Sequence, residues 1–141
     1  MRRTTTLIFL AASLMAGAAF ARAGEQAQRT VRDNVYSKAQ AERGAAQFAK
    51  VCAGCHDPAK LDPAKEKGPE LIGERFLNEW QSKPLSGVLE TVLLTMPNDG
   101  SAVLTEEQTA DVIAYVLQAN GFPDGPADLT YAAGAGITIV K

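Results

Sequence analysis

Both cysteines of this chain and its single histidine fall within five consecutive residues, Cys52-Ala53-Gly54-Cys55-His56. All of its thiol and imidazole chemistry is therefore concentrated at one point, and few folds use such a cluster. A disulfide between Cys52 and Cys55 would leave His56 without a role. A thioredoxin-like redox pair needs a surrounding βαβ pattern, which the flanking sequence lacks. Zinc asks for about four ligands in a tetrahedron, and three residues this close in sequence do not make a normal site.

The spacing C-x-x-C-H is that of covalent haem c attachment. Two thiols separated by two residues at a helix end can add to the two vinyl groups on one porphyrin edge. The adjacent imidazole is then delivered to one face of the iron. Because the chain has one histidine, bis-histidine ligation within a monomer is excluded. Met1 and Met15 sit in the leader discussed below, so Met96 is the only methionine beyond it. Most methionines simply fill a core. A thioether at the end of an apolar helix, just before Pro97, is instead expected to be the second axial ligand of a haem.

The first residues carry an export signal. Arg2 and Arg3 give a positive start, and residues 7–20 are a 14-residue run without a charge. Ala21-Arg22-Ala23 then offers the small-x-small pattern of a signal peptidase site, so residues 1–23 are expected to be a cleaved signal peptide and the protein periplasmic. The run is short for a bilayer span, which needs roughly 20 residues, so an uncleaved anchor is the minor reading. Cleavage removes three arginines and no acid, taking the formal charge from −2 to −5. No basic stripe remains, which argues against nucleic acid and anionic membranes as partners.

Beyond the leader, residues 24–36 read as a loosely attached extension and 37–122 as the domain. Ser37 and Gln40 form a capping-box pattern ahead of a helix carrying Gly44, Phe48, Val51 and Cys52. The proline-bearing stretch 57–69 reads as a loop, and 75–83 as a short helix presenting Phe76, Leu77 and Trp80. Leu85, Val88, Leu89, Val92 and Leu93 repeat at helical spacing until Pro97 and the Asn98-Asp99-Gly100 turn. Thr105 with Gln108 starts a last helix whose stripe is Val112, Ile113, Val116 and Leu117, ended by Asn120-Gly121 and Pro123. Residues 123–141, rich in Gly, Ala and Pro, are expected to wrap the domain as a tail; the strand-like Ile137 to Val140 is too short to define a sheet. The class is all-α, three to five helices, with a core too thin unless something large and apolar fills it.

From about Ser37 to Phe122 the chain resembles class I cytochromes c. The resemblance rests on Gly44 and Phe48, the Cys52–His56 motif, Gly68-Pro69-Glu70-Leu71, Thr95-Met96-Pro97 and Ala114-Tyr115. It implies the small cytochrome c fold around one haem c, with His56 and Met96 as iron ligands. It further implies that the Pro69 carbonyl accepts a hydrogen bond from the His56 ring. Gly44, Phe48 and Tyr115 would then be the contact between first and last helices. The Trp80 indole N–H is a candidate partner for a haem propionate, as in some relatives, set against a plain core role. Shorter words (Phe76-Leu77-Asn78-Glu79-Trp80, Pro84-Leu85, Thr95-Met96-Pro97, Asn120-Gly121-Phe122-Pro123) are similar to haem domains that serve quinoprotein dehydrogenases.

The expected function is one-electron transfer, between a dehydrogenase or reductase and a terminal oxidase, by a protein that is monomeric or docks transiently and is not an enzyme. One alternative is the electron-acceptor subunit of a quinoprotein dehydrogenase complex, for which the tail would be the place to look for docking. Another is a haem that binds a small ligand, but no second histidine is present to supply the distal acid–base group.

Overall fold

The computed structural model describes residues 28–56 and 68–141. The expected signal peptide, residues 24–27 and most of the expected 57–69 loop lie outside the described residues. Four α-helices dominate: α1 (Lys38–Val51), α2 (Glu74–Trp80), α3 (Leu85–Thr95) and α4 (Glu106–Ala119). A 3-10 helix, Tyr131–Gly136, follows α4, and two two-residue strands, β1 (Arg29–Thr30) and β2 (Ile137–Thr138), pair in parallel. The class is all-α, as the periodicities predict.

The pairing of α1 with α4 organises the domain. A Cβ built on Gly44 would stand 1.8 Å from the Asp111 carbonyl oxygen and 3.0 Å from the Tyr115 Cβ. Only a residue without a side chain lets the two backbones come so close. One turn on, the Phe48 and Tyr115 rings meet with centroids 5.2 Å apart and planes tilted by 57°, a favourable aromatic arrangement. The apolar stripe of α4, Val112, Ile113, Val116 and Leu117, is buried together with Leu85, Val88 and Leu89 of α3.

The helix ends follow from their sequences, with one departure. At α4 the capping box is complete: Thr105 accepts from the Gln108 N–H, and the Gln108 side chain accepts from the Thr105 N–H. At its other end Gly121 has φ +79°. Phe122 N–H donates to Leu117 and Gly121 N–H to Gln118, which together make a Schellman closure. At α1 only half of the expected box forms. Ser37 accepts from the Gln40 N–H at 3.0 Å. The Gln40 side chain is turned elsewhere: its amide donates to the Leu129 carbonyl at 2.8 Å and its oxygen accepts the Leu129 N–H at 2.6 Å. The tail supplies a backbone donor and acceptor in register, and a buried amide gains two bonds there instead of one.

Residues 28–36 and the tail are therefore structural. The loose extension expected over residues 24–36 does not hold for 28–36, where Val31, Val35 and Tyr36 are buried. Tyr36 donates its hydroxyl to the Phe122 carbonyl, and the Gly125 N–H donates to the Tyr36 carbonyl. The sequence pattern missed this because three apolar residues in a polar, aperiodic stretch give no period to read. The tail does wrap the domain. Leu129, Ile137 and Ile139 enter the core, while Ile139 exchanges backbone hydrogen bonds with Ser82 and Lys83, tying the tail to the turn between α2 and α3.

Candidate functional site

The site is built where α1 ends. Cys52 is the C-cap of α1, and its carbonyl accepts from both Cys55 N–H (3.0 Å) and His56 N–H (2.8 Å). This tight turn brings the two thiols and the imidazole together at one helix end. The thiols are not bonded to each other. Burial, with a smaller contribution from the neighbouring Cys55, pushes the Cys52 thiol up to about 11. Among the described residues, no group of three or more His, Cys, Asp or Glu side chains is arranged to hold a metal ion.

Cys52, Cys55 and His56 line one wall of a cleft of about 540 Å³, and Gly68, Pro69, Met96, Pro97 and Asn98 line others. That volume lies within the range of about 300–1,000 Å³ usual for bound organic groups. Met96 reaches the cleft because α3 stops there. Its N–H still donates to Val92, but its own backbone is extended, φ −118° and ψ 144°.

The His56 ring is held from two sides. Its Nδ1 lies 2.9 Å from the Pro69 carbonyl oxygen. A carbonyl can only accept, so Nδ1 carries the proton and the Nε2 lone pair is left for a metal. Gly68 sits against the ring: a Cβ there would be 2.4 Å from Cε1 and 2.8 Å from Nδ1. Glycine at this point leaves the ring the space it occupies.

Of the six residues singled out in the sequence, Cys52, Cys55, His56, Pro69 and Met96 line the common cleft and Trp80 does not. Trp80, at the end of α2, packs against the core. Its ring lies 3.3 Å from the Cβ position of Gly87, and the Lys83 ammonium stands 5.0 Å from the ring centroid. Two further residues shape the site. Gly68 was visible only as part of a Gly-Pro word, and Asn120 only as a helix terminator. Yet Asn120 hydrogen-bonds the segment that follows Pro69.

The model of a protein family described as cytochrome c oxidase, cbb3-type, subunit III, matches residues 39–116, more than half of the chain. The chain belongs to this family of c-type cytochromes. No curated protein and no solved structure matches it significantly. The cytochrome's cofactor is haem c, bound covalently through Cys52 and Cys55. The residues fit that group: two thiols at the attachment spacing, a bare Cα flanking the imidazole, and a fixed tautomer with Nε2 free. When bound, the haem supplies an iron that alternates between ferric and ferrous, which makes the cytochrome a haem-based electron carrier. The chain's own part is to tether the group and orient the imidazole.

Proposed function

We propose that the cytochrome is a periplasmic one-electron carrier whose haem iron is held by His56 and Met96, accepting electrons from a dehydrogenase or reductase and passing them toward a terminal oxidase. The observation that carries this reading is that the Met96 thioether shares a single cleft with the two thiols and with an imidazole whose Nδ1 is already engaged. A thioether ligand favours ferrous iron and so raises the potential, which suits transfer to an oxidase. The description of the matched family, an oxidase subunit, is in keeping with that direction. The positive, apolar and small-x-small order of residues 1–23 supports export. Among the described residues no helix is long and apolar enough to cross a membrane.

Free diffusion with transient docking is favoured over permanent attachment through the tail. The apolar side chains Leu129, Ile137 and Ile139 are consumed by the domain's own core. The exposed large hydrophobics among the described residues are Leu94 and Val103. They flank the 96–101 stretch that contributes to the cleft. Exposed apolar side chains on either side of this stretch suit the small interfaces of electron-transfer encounters. Persistent co-purification with a quinoprotein dehydrogenase would instead favour the fixed-subunit alternative.

The test is the absorption spectrum of the ferrous protein before and after carbon monoxide, on the native chain and on Met96→Ala. The native spectrum is expected to stay unchanged because both axial positions are filled. The variant should keep its covalent haem, bind carbon monoxide and show a lower potential. Ready binding by the native protein, or an unaltered potential in the variant, removes Met96 from the ligand set.

A further inference from the structure

The stretch from Pro69 to Gly73 decides where the His56 ring points, yet little of its own structure holds it. It has no helix or strand. It lies over Phe48, Tyr115 and Val116 with a void of about 10 Å³ between, room for about one water at most. Packing alone therefore leaves it some freedom. Its hydrogen bonds to other elements are few. Among the described residues, those of 69–73 run from the Pro69 carbonyl to His56, from the Gly73 carbonyl to the Leu77 N–H in the first turn of α2, and from the Leu71 carbonyl and Gly73 N–H to a single side chain, that of Asn120.

Asn120 is the C-cap of α4. Its amide nitrogen donates to Val116 O at 2.8 Å and to Leu71 O at 2.9 Å, and its oxygen accepts the Gly73 N–H at 2.8 Å. Both amide protons and one oxygen lone pair are thereby used, which only an Asn or Gln side chain can do. The clamp grips Gly73 where the chain, at φ +84°, turns into α2. It anchors the far end of the stretch, while Gly68 and Pro69 press on the imidazole at the near end.

We propose that Asn120 is a positioning residue for the haem ligand, fixing the 71–73 backbone on α4 and, through Pro69, the orientation and electron donation of the His56 imidazole. The inference rests on His56 being an iron ligand, as the proposed function has it. A ring N–H donating strongly to a carbonyl makes the imidazole more basic, and a basic ligand stabilises ferric iron. Loosening the clamp weakens that hydrogen bond, so the equilibrium with a fixed mediator moves toward the ferrous form. An effect of up to about tenfold is expected, at or below the low end for direct outer-shell partners, because Asn120 acts one step removed.

The experiment compares the holo forms of the native chain, Asn120→Leu, Asn120→Ser and Gln108→Ala. Each is measured by redox titration and by the paramagnetically shifted ring-proton resonances of His56 in the ferric state. Gln108→Ala weakens the opposite end of α4 without touching 71–73, and so controls for loss of helix stability. Asn120→Ser retains a short hydroxyl for Val116 and serves should the leucine variant not fold. Shifted His56 resonances and a more ferrous equilibrium in either Asn120 variant, with neither change in Gln108→Ala, support the clamp. Native values in a folded Asn120 variant overturn it and leave Asn120 a helix cap only. A native protein with no hyperfine-shifted His56 resonance would instead overturn His56 ligation itself, and the clamp with it.

Discussion

The crossing of α1 and α4 and the walls of the cleft meet at the Cys52–His56 turn but are held by different means. In the crossing, two regular helices touch backbone to backbone at Gly44, aromatic rings interlock beside it, and the buried polar side chain of Gln40 has its partners on Leu129. In the cleft, short non-helical stretches carry the proposed iron ligands and the residues that orient His56. Single contacts hold them: Pro69 on His56, Gly68 against the ring, and Asn120 on Leu71 and Gly73. One region derives its stability from many weak contacts, the other its geometry from a few specific ones. A change in the first should therefore be felt as lost stability, and in the second as altered iron chemistry at nearly constant stability.

The largest effect belongs to the crossing. Gly44→Ala places a methyl 1.8 Å from the Asp111 carbonyl oxygen, where only a backbone shift can make room. Overpacking a rigid contact of this kind costs about 3 kcal/mol. Denaturant unfolding of the holoprotein should show that loss, with the haem spectrum of the remaining folded fraction unchanged. Next comes Gln40→Leu, which leaves the Leu129 N–H and carbonyl unpaired in a buried position. Two such groups, partly relieved by the added apolar surface, should cost about 2 kcal/mol in the same assay. If either variant instead moved the redox equilibrium while unfolding normally, the division between the two regions would be wrong.

The same division explains what the sequence made legible. A packed helix writes its buried face as a period, so α3 and α4 could be read from Leu85–Leu93 and Val112–Leu117, and their ends from Thr105, Gln108 and Asn120-Gly121. Covalent attachment requires a fixed spacing, so the thiols and His56 could be read too. Contacts between residues far apart in sequence leave no such trace. Gln40 matched a capping box, yet its amide bonds Leu129, in the tail. Val31 and Tyr36 looked like parts of a polar extension because their partners are the Thr138 and Phe122 carbonyls, far along the chain. Asn120 read as a stop signal, since a cap and a clamp use the same side chain.

In the cleft, Gly68→Ala is the sharper probe. The added methyl would stand 2.4 Å from the His56 ring. The ring must turn, and the hydrogen bond to Pro69 lengthens or breaks. A ferric/ferrous equilibrium displaced about tenfold toward ferrous is expected, equal to about 59 mV for one electron. Its unfolding free energy should change by less than that of Gly44→Ala. An unchanged potential would mean that the ring's surroundings do not tune the iron.

The smallest effect tests the crossing at its solvent edge. Arg43 on α1 holds Asp111 of α4 through two contacts of 3.0 Å, and Asp128 of the tail at 2.7 Å. The Asp128 carboxyl is kept below its ordinary value, first by the Ser37 hydroxyl and then by Arg43. A carboxylate with a depressed folded pKa contributes stability above its unfolded pKa and loses it as pH falls through the folded value. The window therefore opens near 3.8 and extends downward from there. Because Asp128 and Arg43 are both about half exposed, solvent and salt screen the pair, and the contribution is a few tenths of a kcal/mol. Asp128→Asn should flatten the fall in stability below about pH 4 while leaving the cleft's redox equilibrium at neutral pH untouched. A potential that followed this substitution would show that the tail and the cleft are coupled through α1, and the two regions would then have to be treated as one.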